Sequence, residues 1–198
     1  MDEVDRRERA ESAARLVIAS SVLWPPLRAW AMVTGATDVD RVIDDVKSLV
    51  GRALADEDVR ASAVERYASI EELIPPADTY DEPSRRWELL ANSALGALGV
   101  AAGVLAGSSL EIVPRAVEDV LGAVETEARW AQSQLRAVGE ERRLSWASEA
   151  RAMLDRALAL GKRASIEHAC SSLERDGPPW WLELQQIERR SPAPLAGA

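Results

Sequence analysis

Phenylalanine is absent from this 198-residue chain, histidine and cysteine occur once each, and tyrosine only twice. Each scarcity closes off a chemistry. A lone Cys170 cannot form an internal disulfide and is expected as a small thiol in a helix, in a reducing compartment. A lone His168 excludes a two-histidine zinc site within one subunit. The helical di-iron pattern pairs Glu-x-x-His units, and here Ser165 stands three residues before His168. A Ser-His-Asp triad would have to use the same histidine, which has no nucleophile turn around it. No alternation of apolar and polar residues is long enough for a strand, so no strand leads into a glycine-rich phosphate loop. Base is short as well: 24 Lys and Arg face 33 Asp and Glu, a net charge of −9. Such a field repels nucleic acid and favours a basic protein partner. The first residues, MDEVDRRERAES, lack the basic-then-apolar order of a signal peptide, so a cytoplasmic protein is expected.

What remains is helix. Alanine and leucine dominate, and apolar residues recur at helical spacing almost everywhere. Ala10, Ala13, Val17, Ser21 and Trp24 make a first stripe, ended by Pro25-Pro26. A short helix then runs to Thr34 and stops at Gly35. Thr37, with Asp40 as a capping-box-like partner, is expected to start a third helix. Its core face is Val39, Val42, Ile43, Val46, Leu49, Val50 and Ala53. Asp58 opens a fourth through Val64, Tyr67 and Ile70, broken by Pro75-Pro76. Pro83 suits the start of a fifth, and Ser108 to Glu111 reads as a capping box for a long sixth. Leu144, Ala147, Ala150, Leu154 and Leu158 mark a seventh, and Ser165 to Arg175 an eighth. The expectation is all-α, a single-domain array of about eight helices without a sheet. The domain is expected over residues 1–190, with 191–198 as a flexible tail.

Three stretches invite a sharper reading. Leu89 to Leu110 carries no charge, and Gly99, Gly103 and Gly107 give overlapping GxxxG spacings. A membrane helix needs about 20 apolar residues, but alanine and glycine supply little transfer drive. A central soluble helix, buried on all sides, is expected instead. A homodimer through its glycine-lined face stays open. EELIPPADTYDEP (71–83) packs acids and prolines together; Asp81 and Glu82 suit a cap, while Asp78 and Tyr80 have no structural duty. Trp180-Trp181 follows two prolines, and adjacent rings cannot both face one core. Asp78, Tyr80, Asp81, Glu82, Trp180 and Trp181 are therefore the interaction candidates.

Charge is distributed unevenly: Asp38 to Glu88 sums to −7, Glu111 to Glu127 to −4, and Ala128 onward to +2. The leading expectation is a non-catalytic interaction protein with an acidic surface and a basic protein partner, for instance an immunity-type inhibitor. No cofactor is expected. The alternative is a magnesium-dependent hydrolase of the helical nucleotide pyrophosphohydrolase type, using Asp40, Asp44, Glu71 and Glu72.

WPPLRAWAMVTGATDVDRVIDDVKSLV and EELIPPADTYDEP, followed by an alanine-rich helix and a further long one, resemble the YjaG-like family of bacterial all-helical proteins. The matching order runs from Leu16 to Glu125. Pro83-Ser84-Arg85-Arg86 departs from that family's second aromatic and further acids. The resemblance implies a soluble helical domain and no activity.

Overall fold

The structure, a computed structural model, describes residues 3–74, 85–134, 152 and 166–175. Its elements are α1 (Glu3–Ser20), a 3-10 turn (Ser21–Leu23), α2 (Trp24–Thr34), α3 (Val39–Leu54), α4 (Arg60–Leu73), α5 (Arg85–Ala106), α6 (Ile112–Gln134) and α7 (Ile166–Arg175). No strand occurs among the described residues, as the all-α expectation requires. Of the eight expected helices, the one bearing Leu144 to Leu158 falls outside them. α5 is the axis: α1, α2, α3, α4 and α6 all pack on it, and α7 rests on α1 and the 3-10 turn.

The break between α1 and α2 follows from hydrogen-bond supply. Pro25 and Pro26 have no N–H to return to the preceding turn, and they sit at the start of α2 where none is needed. The Ser20 and Ser21 hydroxyls donate to the carbonyls of Val17 and Ile18 at 2.8 and 2.7 Å. Ser20 Oγ also accepts from the Trp24 indole at 3.2 Å, so both serines are buried and satisfied.

The seven expected core residues of α3 are its buried residues. Its start differs from the expectation. Asp38, not Thr37, takes the N-cap position and makes no side-chain cap bond. Asp38 pairs with Arg41 and Asp40 with Arg28, charged donors that outcompete a backbone N–H. α2 does stop at Gly35, which lies in the left-handed region at φ 77°, with Ala36 N–H returning to Ala31 O.

α5 ends in a Schellman turn. Gly107 has φ 116°, Ser108 N–H donates to Gly103 O at 2.8 Å and Gly107 N–H to Val104 O at 3.1 Å. Ser108 is thereby spent on α5, which corrects the capping-box expectation for α6. Ser109 serves that end, its hydroxyl accepting from Glu111 N–H at 3.2 Å. Two arginines complete the α5 terminus. Arg9 donates to Val104 O and Ser108 O at 3.2 and 2.6 Å, and Arg60 to Ala106 O at 3.0 Å.

α4 buries a smaller face than its sequence suggested: Ala63 and Ile70 are inside, while Val64 and Tyr67 are 54% and 38% exposed. The cause is the glycine face of α5. A Cβ at Gly99 would lie 3.4 Å from Ile70, and one at Gly103 would lie 3.4 Å from the Tyr67 ring. Missing side chains let α4 approach, so small residues make the contact. The face expected to serve a homodimer is therefore covered by α4 of the same chain.

The glycines of α5 and α6 should divide by this criterion. Gly96→Ala and Gly122→Ala add a Cβ into open space and should raise unfolding free energy by about 0.5–1 kcal/mol each. Gly99→Leu and Gly103→Leu should instead cost about 1–3 kcal/mol by forcing α4 away. Urea unfolding of the four variants checks the division.

Candidate interaction surface

The candidates in the 71–83 stretch divide at its first proline. Glu71 and Glu72 lie on the last turn of α4, exposed. Asp78, Tyr80, Asp81 and Glu82 lie outside the described residues, as do Trp180 and Trp181. Of the acids named for a metal-dependent hydrolase, Asp40 and Asp44 share a face of α3, but each has its own base. Asp40 pairs with Arg28, and Asp44 accepts from Lys47 at 3.1 Å. Lys47 is further fixed 5.8 Å from the Trp24 ring. Among the described residues, no group of three or more His, Cys, Asp or Glu side chains is placed to hold a metal ion. Cys170 is buried and His168 exposed on α7.

Further acids around α3 are neutralised too. Asp45 of α3 reaches Arg66 of α4 at 2.6 Å, and Glu57 meets Arg52 at 2.7 Å across the end of α3. These pairs bind neighbouring elements together. Glu65 and Glu72 on α4, and Glu111 and Asp119 at the start of α6, are exposed, and no base among the described residues lies within ion-pair distance of them.

Beside those α6 acids runs a groove between α5 and α6, with a volume of about 700 Å³. Leu90 and Ala97 from α5 and Ala116 from α6 contribute to it, together with Gly96 and Gly122. Leu89 and Ile112 also line it and remain 50% and 45% exposed. Arg115, Asp119, Asn92, Ser93 and Thr126 are its polar members among the described residues. Sequence reasoning missed it, because a groove belongs to two helices and each helix alone reads as core. A residual signal existed in Leu89 and Ile112, large apolar residues just off the buried stripes.

α5 is long and apolar enough to cross a bilayer, over Glu88–Ala106, yet 67% of that stretch is buried by the rest of the fold. No protein-family model, curated protein or solved structure matches this chain.

Among the described residues, Tyr67 has a clearly perturbed side chain. Its phenol donates to Glu71, and that bond, with burial and the carboxylate charge, raises its pKa above the usual 10.0. The folded form thus holds its proton longer than the unfolded one. The stability this contributes is whole below pH 10 and is lost as pH rises through the raised value. In a Tyr80→Phe background, absorbance titration should place Tyr67 above 10, and Glu71→Ala should bring it down.

Proposed function

We propose that this is a non-catalytic, cytoplasmic helical interaction protein whose acidic surface meets a basic protein partner, with an immunity-type inhibitor as one concrete form. The observation that supports it is the division of charge. Acids that hold the fold together on α3 are met by Arg28, Arg41, Lys47 and Arg66. Glu65, Glu72, Glu111 and Asp119 have no such duty and stand exposed. Uncompensated like charge destabilises a compact state, and its use lies outside the molecule, in steering an oppositely charged partner. The hydrolase reading loses Asp40 and Asp44 to their bases. Membership of the YjaG-like family is proposed beside this on the two quoted stretches, and it supplies no activity.

A pull-down at low salt identifies the partner, and stopped-flow mixing of the purified pair measures association. The rate should fall by about tenfold or more as salt rises from about 20 to about 300 mM. Glu111→Lys with Asp119→Lys should slow association at low salt without lowering Tm. Failure to recover any basic partner, or a rate indifferent to salt, sinks the reading.

A further inference from the structure

The groove between α5 and α6 is open where the adjoining face of α5 is closed. On the closed side, Gly99 and Gly103 meet Ile70 and Tyr67. On the open side, a Cβ at Gly96 or Gly122 would find no atom within 4 Å. Both glycines line the groove. Its α6 wall runs from Ile112 to Thr126, roughly 20 Å of helix at the standard rise. That is about four turns, the footprint of a helix laid lengthwise.

Chemistry narrows the occupant. Leu89 and Ile112 hold large apolar surface half in water at the mouth, and the spaces over Gly96 and Gly122 would accept projecting leucine or methionine side chains. α6 carries Glu118, Asp119, Glu125 and Glu127 against Arg115 and Arg129, and Glu111 directly precedes it. Of these, Asp119 lies in the groove itself and has no basic partner among the described residues. We infer that the groove seats an amphipathic helix of the protein partner, with its apolar face over Gly96 and Gly122 and its basic residues against Asp119. This rests on the interaction reading above and adds the site and the form of the ligand.

The test uses the full chain and a labelled synthetic helix with leucines at i, i+3, i+4 and i+7 and lysines elsewhere. A twin peptide has glutamate for lysine. Anisotropy should detect binding of the lysine peptide at low salt and at least about tenfold weaker binding of its twin. Gly96→Leu and Gly122→Leu should each weaken the lysine peptide by about tenfold or more with Tm not lowered. Asp119→Lys, on the exposed surface, should do the same and flatten the salt dependence. Equal binding by the filled variants, or by both peptides, overturns the inference. So does a fall in Tm of the filled variants, which would put part of this chain in the groove. A wild-type dimer split by Gly96→Leu overturns it too, in favour of a second copy. A basic partner protein that binds wild type and Gly96→Leu alike removes the groove and leaves the acidic-surface reading standing. No salt-dependent binding of any basic partner removes both.

Discussion

Arg9 and Arg60 hold the end of α5, and the rest of the described fold is arranged to allow it. A helix enclosed by five others cannot leave its last carbonyls to water. The Schellman turn at Gly107 satisfies Gly103 and Val104, and the arginines reach Val104, Ala106 and Ser108 from α1 and α4. Arg9 is only 15% exposed, so its charge has to be compensated where it lies; Asp5 does so at 3.0 Å. Each hydrogen bond from such a cation contributes about 1.5–3 kcal/mol. Two positive charges at a helix C-terminus also oppose its macrodipole. One small network thus fixes the ends of α1, α4 and α5 together.

The same enclosure explains why α5 is built from alanine, glycine and leucine. Beyond Glu88 it carries no charge, because most of that stretch is buried, and bulk is excluded on the face that α4 covers. Ala63 and Ile70 fit there because Gly99 and Gly103 have no side chains. Ionic ties are displaced to the periphery, where α3 carries them: Asp40 to α2 and Asp45 to α4. Core and charge are therefore largely separated by element.

Sequence reasoning succeeded where a single helix decides the outcome. The α3 stripe, the Gly35 stop and the span of α7 depend on local periodicity and backbone conformation, and all three are found. It erred where side chains choose between partners. Asp38 takes the cap position expected of Thr37, Asp40 pairs with Arg28, and the Ser108 N–H serves the preceding helix end. The α4 stripe misled because burial there is set by how closely α5 permits approach. The GxxxG spacing was read correctly as a close-packing face, but sequence could not say that the neighbour was α4. The groove was illegible for a related reason: its walls come from two helices, and an exposed Leu89 has the same letter as a buried Leu90.

Glycine within a helix costs about 1 kcal/mol relative to alanine. At Gly99 and Gly103 the fold recovers that cost through close approach of Ile70 and Tyr67. At Gly51, Gly96 and Gly122 no neighbour would meet a Cβ, so nothing in the described packing offsets it. Open space at one helical glycine is therefore not a signal by itself; Gly51 has it on the exposed face of α3. Gly96 and Gly122 differ in sitting on two helices and lining one groove, with exposed apolar residues along it and an acid on its wall that meets no base among the described residues. Their cost to the monomer is accounted for once an incoming helix uses the space. The small side chains that let α4 close on one face of α5 then leave the adjoining face ready for a partner.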